Sequence, residues 1–468
     1  MKLLSELYSG YPDIEIKGIK INSKQIEPGD IFVCNMGVTA DRHDFIDEAI
    51  SNGASAIVVS KDVECNVPTI KVDNTNEELR KLAKKFYDNA DEDLKLIATT
   101  GTNGKTTVSK LIQDLMGEDI CGYMGTSGII SSKFNEKIIN TTADADRLYM
   151  YFKMFVDAGC KYLSMETSSE AYFRHRLDDI YFDIGIVTNI TEDHLNIHKT
   201  VENYVSCKKE MLDHIKKDGY AVLNTDDKYY EEFKNNVNSN LVTYGMNNAD
   251  FLIKDLEVTN KDTKFTIEYN SNDYKIVSPL FGDFNAYNLT AAIATLVCLG
   301  YKIDDIIEKI PNIKPLAGRV EFLNYGQKYD IVLDYAHTTD SFLKLYPVLH
   351  KIKRGKIITV TGSAGGREKE KRGPMGKVVL DNSDYVIFTM DDPRNEDVNE
   401  IIDDLVSLSD KSNYERIINR KEAIKKAFDM AEDNDLVLIA GKGNDNYMAI
   451  EDKYEPYCDL DVIEDYFK

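Results

Sequence analysis

The apolar run Leu94-Lys-Leu-Ile-Ala-Thr-Thr100 stops at Gly101-Thr-Asn-Gly104 and gives way to Lys105-Thr-Thr107 and an amphipathic stretch. No other pattern in the chain constrains its fold as tightly, because it reads as strand, phosphate loop and helix. Gly101 and Gly104 let backbone N–H groups converge on a phosphate, the helix N-terminus adds positive potential, and Lys105 adds a point charge. Thr106 brings a hydroxyl suited to Mg²⁺. The loop is compressed, with Thr102 and Asn103 alone between its glycines, where the commonest nucleoside-triphosphatase spacing has four residues. An ordinary glycine turn ahead of a helix is the plainer alternative; the strand before it and the Lys-Thr-Thr after it favour phosphate.

With 468 residues the chain is long enough for about three domains at roughly 100–200 residues each. Its formal net charge of −23, with no dense Lys/Arg block, argues against a nucleic-acid partner. An anionic substrate must then be met by local Lys, Arg, Mg²⁺ or helix N-termini. The seven cysteines are scattered without a C-x-x-C pair, which supports neither a disulfide framework nor a zinc ribbon and suggests reduced cytoplasm. No segment approaches about 18 consecutive apolar residues, so no membrane insertion is expected.

The expected fold class is α/β in three domains. Residues 1–90, with runs such as Asp30-Ile-Phe-Val33 and Ala54-Ser-Ala-Ile-Val-Val59, form a small N-terminal α/β domain whose polar loops Ile21–Lys24 and Gly37–Asp41 read as surface turns. Residues 91–315 alternate strand, loop and helix, as in a central parallel-sheet ATPase domain with its site at the carboxyl ends of the strands. There Lys161-Tyr-Leu-Ser-Met-Glu166 ends in a carboxylate placed like a Mg²⁺ ligand, and Phe182–Ile190 leads to His194 and His198. Asn288, at the start of an apolar helix, is either a helix cap or a reader of an amide-like base edge, and sequence physics leaves both open. Residues 316–468 repeat one design, four apolar strands ending at Asp334, Gly362–Arg367, Asp391–Arg394 and Gly441–Gly443, which describes a Rossmann-like C-terminal domain with its own crevice.

A phosphate loop, a carboxylate and a separate α/β domain leave kinases, GTPase switches and ATP-dependent ligases open, although protein-kinase signatures and a guanine-reading Asn-Lys-x-Asp are missing. The motifs Thr100-Gly-Thr-Asn-Gly-Lys-Thr-Thr107, Glu166-Thr-Ser-Ser169, Thr188-Asn189 with Asp193-His-Leu195, and Asn224-Thr-Asp-Asp227 are accompanied by Gly282-x-Phe-Asn285-x-x-Asn288, Gly318-Arg319, Asp334-Tyr-Ala-His337 and Gly441-Lys-Gly443. In order and spacing this set resembles the Mur ligase family across essentially the whole chain. Asn140-Thr-Thr142, Gly365-Gly-Arg367 through Arg372, and Asp391-Asp-Pro-Arg394 resemble the branch that adds the third amino acid of the peptidoglycan stem peptide.

The resemblance implies an ATP- and Mg²⁺-dependent amide ligase, acting as a monomer on UDP-N-acetylmuramoyl-L-alanyl-D-glutamate and a diamino acid through an acyl phosphate. Lys105, Glu166, His194 and Lys208 become catalytic; Thr106, Glu166, His194 and Lys208, the last as a carbamate, become metal ligands. ATP falls to Gly101, Thr102, Asn103, Gly104, Lys105, Thr106, Thr107, Asn285, Asn288, Arg319 and Asp334. The UDP substrate falls to Ile21, Ser23, Val38, Thr39, Ala40, Asn140, Thr141, Thr142, Ser168 and Arg176. The incoming amino acid falls to Arg367, Asp391, Asp392, Pro393, Arg394, Gly441 and Asp445.

Departures from the family pattern are Glu170 for a common His, Arg174 for Gln, Ala143 for Pro and Lys199 for Gly. Asp392 stands where the diaminopimelate signature has Asn, and Asn444-Asp445 where His-Glu is usual. Arg367 and Arg394 favour meso-diaminopimelate, which brings a distal carboxylate, while the extra acids keep lysine as a competitor. Two other functions compete: a Mur-like ligase on a non-wall substrate, of folylpolyglutamate or poly-amino-acid type, and a nucleotide-binding partner protein without catalysis.

Overall fold

Apolar runs that end at glycine or acid become strands, and these gather into three main sheets. The computed structural model describes the chain except residues 36–40, 139, 192–194, 260–261, 315–317, 319, 444 and 452. The first sheet is parallel throughout, with Gly18–Lys20, Asp30–Val33, Ala56–Val59 and Thr69–Lys71 side by side in chain order.

The second sheet has eleven strands, and the strand Lys95–Thr100 lies fifth in order, between Tyr162–Glu166 and Phe182–Val187 and parallel to both. These strands are buried on both faces, which is why they read as unbroken apolar runs. Both edges of the sheet are antiparallel, unlike the repeated parallel units expected from sequence. The cause is visible between Thr263–Tyr269 and Asn272–Ser278, where only Asn270 and Ser271 intervene, at φ +49° and +61°. A two-residue turn with both φ positive makes a hairpin and leaves no room for a crossover helix.

One face of the second sheet is covered by the helices Lys105–Met116 and Asp283–Cys298, which pack on each other. Val108, Leu111 and Ile112 of the first helix meet Ile97, Ile184 and Ile186 of the sheet in a core with Ala292 and Ile293 of the second. Burying each large aliphatic side chain contributes roughly 1.5–3 kcal/mol, so the phosphate loop between strand and helix is anchored at both ends.

In the third sheet Glu321–Leu323 pairs antiparallel with Asp330–Asp334; beyond it lie Leu436–Ala440, Ile357–Thr361, Tyr385–Phe388 and Tyr414–Arg416, all parallel. The last of these strands in the sequence, Leu436–Ala440, inserts between the first two parallel strands of the chain order, which opens a crevice at their carboxyl ends. Among the described residues no helix is long and apolar enough to cross a membrane.

Candidate active site

Gly101 and Gly104 both have positive φ, +144° and +88°. A Cβ on Gly101 would stand 1.9 Å from Thr188 Oγ1, and one on Gly104 would stand 2.5 Å from Asn288 Oδ1. The loop can therefore be built only with glycine at these two points. The next strand end holds it in place: Thr102 N–H donates to Asn189 O at 2.7 Å, while Thr188 Oγ1 and Asn189 Nδ2 donate to Asn103 O at 2.6 and 2.9 Å.

Lys105 Nζ donates to the carbonyls of Gly101 and Thr102, each at 2.9 Å, and Lys208 Nζ donates to the same Gly101 oxygen at 2.7 Å. Two ammonium groups thus share one carbonyl, with Lys208 buried against the Tyr204 ring 4.7 Å away. The two side chains bring cationic groups to the phosphate loop of an acidic protein. His198 is buried beside this pair, its Nε2 2.9 Å from Ser169 Oγ; burial and then the Lys208 charge depress its pKa.

A cleft of about 570 Å³ opens from the loop toward the third sheet. Its walls include Asn103, Gly104 and Thr107 on one side and Val320, Asp334 and Lys344 on the other. Asn285 and Asn288 lie inside the helix Asp283–Cys298 rather than at its cap, which is Gly282. Asn288 Nδ2 donates to Asn285 Oδ1 at 3.1 Å, and its own oxygen braces Gly104. Both carboxylate oxygens of Asp334 accept backbone N–H groups, from Val320 and Ala336 at 2.7 Å, so Asp334 shapes the turn as well as lining the cleft.

Asp340, in the first turn of the helix Thr339–Ile352, reaches across the cleft and accepts from Asn103 Nδ2 at 2.5 Å. Its Oδ2 also pairs with Lys344 at 2.9 Å. An anion against the phosphate loop opposes an incoming polyphosphate. Asp340→Asn is expected to tighten ADP binding about fivefold, roughly 1 kcal/mol for a partly exposed charge, and the gain should shrink at high salt in a calorimetric titration.

A second cleft, of about 780 Å³, separates the first sheet from the second and is lined by Ile21, Ser23, Arg42, Arg80, Arg174 and Arg176, among others. Arg80 ties its two walls together through Asp179 at 2.7 Å. Arg176 pairs with Asp144 at 2.6 Å and donates to Thr142 O at 3.0 Å. Thr142 Oγ1 donates to Glu166 O at 3.1 Å and accepts from Ser168 N–H at 3.1 Å, joining this cleft to the strand end beside the loop. Thr141 Oγ1 meets Thr126 Oγ1 at 3.2 Å, and Asn140 is exposed. Ser23 is buried and donates to Glu48 at 2.5 Å, while the carbonyl of Ile21 accepts from Arg42. Glu170 and Arg174, two departures from the family pattern, pair with each other at 2.6 Å one helical turn apart. Lys199, a third, sits at φ +68°, the conformation that explains a glycine elsewhere.

At the carboxyl ends of the third sheet the loops Gly362–Arg367, Asp391–Arg394 and Gly441–Asp445 converge. Gly365 N–H donates to Asp392 O at 2.9 Å, and Arg394 donates to Gly365 O at 3.2 Å, so the arginine loop and the glycine loop are locked together. A Cβ on Gly441 would collide with Asp391 Oδ2, and one on Gly365 with Pro393 O. Asp391 is buried, which pushes its pKa up against the lowering pull of Arg420 and Lys442. Asp445 was expected as an acceptor for a ligand ammonium, and Asp392 as an extra acid inviting one; Lys442 pairs with both, at 3.3 and 2.8 Å. Arg367 is exposed at the rim.

Three regions match family descriptions: residues 15–87 the Mur ligase catalytic domain, 99–296 the Mur ligase middle domain, and 318–443 the Mur ligase glutamate ligase domain. A curated relative from Clostridium acetobutylicum, named UDP-N-acetylmuramoyl-L-alanyl-D-glutamate–2,6-diaminopimelate ligase 2, is 37% identical over 98% of this chain and 96% of its own. The chain belongs to the Mur ligase family. A Bacillus cereus relative bearing the same ligase name is 35% identical over 96% of this chain and 94% of its own. A solved structure titled with that ligase name superposes with a TM-score of 0.68 at 27% identity, covering 100% of this chain and 99% of that one. This Mur ligase is accordingly an ATP-dependent ligase with the three-part α/β architecture of its family.

Of the residues expected around Mg²⁺ in this Mur ligase, Glu166 and Lys208 have protein partners of their own. Glu166 is fully buried, and its carboxylate accepts from Tyr123 OH at 2.5 Å and from Thr126 N–H and Oγ1 at 3.0 and 3.2 Å. Lys208 Nζ lies 2.7 Å from Gly101 O, and among the described residues no group of three His, Cys, Asp or Glu side chains gathers for a metal. His194, Arg319, Val38, Thr39 and Ala40 lie outside the described residues. Sequence reasoning missed Asp340, whose partner Asn103 is far away in the chain, Lys344, which pairs with Asp340 one helical turn away, and Lys442, whose partners were counted as ligand-facing.

Proposed function

We propose that this ligase joins 2,6-diaminopimelate, in preference to lysine, to the D-glutamate side-chain carboxylate of UDP-N-acetylmuramoyl-L-alanyl-D-glutamate, a step of peptidoglycan synthesis in the cytoplasm. The observation that carries the reading is the glycine loop with Lys105 at the start of its helix, beside a cleft that runs to the third sheet, while Thr142 and Glu166 link the neighbouring strand end to a second, arginine-lined cleft. ATP, entering as its magnesium complex, fits the first cleft with its phosphates on the Gly101–Thr107 loop and its base toward Asn285 and Asn288. The UDP end fits the second, held by Ile21, Ser23, Arg176 and the Asn140–Thr142 segment, with Ser168 near the dipeptide.

The chemistry has two steps. A glutamate carboxylate oxygen attacks the γ-phosphorus and ADP leaves; the acceptor amine, as its free base, then attacks the acyl carbon and phosphate departs with that oxygen. Lys105 and the magnesium carried with ATP would offset the repulsion between carboxylate and triphosphate, and the interlocked loops of the third sheet orient the amine. Arg394 and Arg367 supply a carboxylate clamp for the distal end of the acceptor.

The test is a panel of diamino acids offered with UDP-muramoyl-dipeptide and ATP, read by product mass. Product with diaminopimelate supports the reading, and ADP release that needs neither acceptor nor dipeptide contradicts it. Within the same assay Arg394→Ala is expected to raise the KM for diaminopimelate by about thirty- to a hundredfold, the loss of one charge-assisted pair, with little change in the KM for ATP.

A further inference from the structure

The acidic cluster beside the arginine loop contains its own cation. Lys442 is 1% exposed, donates to Asp392 Oδ1 at 2.8 Å, lies 3.3 Å from Asp445 Oδ2, and stands 4.5 Å from the centre of the Tyr447 ring. Asp392 Oδ1 accepts the Ala449 N–H as well, at 2.8 Å, and the Asp392 backbone is left-handed at φ +46°. Buried Asp391 feels Lys442 and Arg420 together. Two carboxylates and an aromatic face are what a ligand ammonium would seek, and here a protein ammonium already has them. Beside this cluster Arg367 is exposed, and half-buried Arg394 donates to Gly365 O.

We propose that Lys442 is a positioning residue that sets the charge of the accepted amino acid. By holding Asp392 and Asp445 it withholds them from an acceptor whose distal end is an ammonium alone, and it leaves the arginines to select one that also carries a carboxylate. The inference rests on the amino-acid-binding reading of this crevice. Its physical content is a balance of buried charge. Without Lys442 the acids are uncompensated and attract a lysine side chain; without the Asp392 charge, Lys442 is in surplus and repels it further.

The experiment compares meso-diaminopimelate with L-lysine as competing acceptors for the full-length wild type, Lys442→Met, Asp392→Asn and the double variant, with thermal melting and ADP binding as folding controls. Lys442→Met is expected to lower the diaminopimelate-to-lysine ratio of kcat/KM by about tenfold, and Asp392→Asn to raise it by about threefold. The double variant should return toward wild type. Single variants that lower both acceptors together at a constant ratio would mean a structural role only and overturn the proposal. Should Lys442→Met fail to fold, Asp392→Asn decides alone, since asparagine keeps an acceptor for Ala449 N–H; a ratio unchanged or lowered there overturns it. A wild type that joins neither acceptor would overturn the parent reading and this inference with it, whereas a wild type that prefers diaminopimelate with a ratio immune to both variants overturns this inference alone.

Discussion

Alanine at Lys105 is expected to lower kcat by about a hundred- to a thousandfold, the effect of removing one preorganised charge from a developing anion, while the melting temperature stays close to wild type. The side chain opens the helix Lys105–Met116, and its contacts include the loop it serves, the carbonyls of Gly101 and Thr102. Those contacts orient the ammonium rather than hold the core, to which the helix contributes Val108, Leu111 and Ile112 further along its length. Lys208 shares the Gly101 oxygen and remains in the variant, so residual ADP binding is expected together with lost turnover. Arginine should not restore the rate, because a planar fork cannot replace a compact ammonium at a carbonyl that two cations already share. Single-turnover rates and equilibrium ADP binding separate the two effects; an unchanged kcat would exclude the phosphate-loop assignment.

The largest loss of stability is expected from Asp459→Ala. Arg420 and Asp459 are both fully buried and form a two-point pair, Nε to Oδ1 at 2.8 Å and a terminal nitrogen to Oδ2 at 2.7 Å, with Tyr457 OH donating to Oδ1 at 2.8 Å. Arg420 also donates to Ala440 O at 2.9 Å, the last residue of the strand before Gly441. Removing the carboxylate strands a guanidinium in the core, at a cost of about 3–5 kcal/mol. Urea unfolding should show the transition of the C-terminal sheet moving to lower denaturant, with the acceptor KM rising because Arg420 lies under Asp391 and Gly441. A midpoint that does not move would contradict the buried-charge argument.

Much of the architecture was legible because it depends on local chemistry. A doubly buried strand followed by two glycines and Lys-Thr-Thr admits few conformations, and the φ values of Gly101 and Gly104 are the ones that reading requires. The four polar strand ends of the C-terminal region were legible for the same reason. The antiparallel edges of the second sheet were not, since Asn270-Ser271 is a weak hairpin signal and the direction of a neighbouring strand is decided by pairing. Contacts across long separations were also hidden: Asn103 meets Asp340 from the other wall of the cleft, and nothing near either residue announces the other. Asp392 and Asp445 were read as ligand-facing acids because Lys442, three residues before Asp445, looked like part of a glycine turn until its burial placed the ammonium between them. Glu170 and Arg174 looked like separate departures, and their pairing makes them one compensated change.

The central claim is that ATP on the Gly101–Thr107 loop converts a substrate carboxylate to an acyl phosphate. It is tested most directly by supplying UDP-muramoyl-dipeptide with ¹⁸O in the glutamate side-chain carboxylate and following the label through one turnover with ATP and diaminopimelate. One ¹⁸O atom in each released phosphate, with ADP as the other product, is the predicted result. Phosphate without label, or AMP in place of ADP, would contradict it.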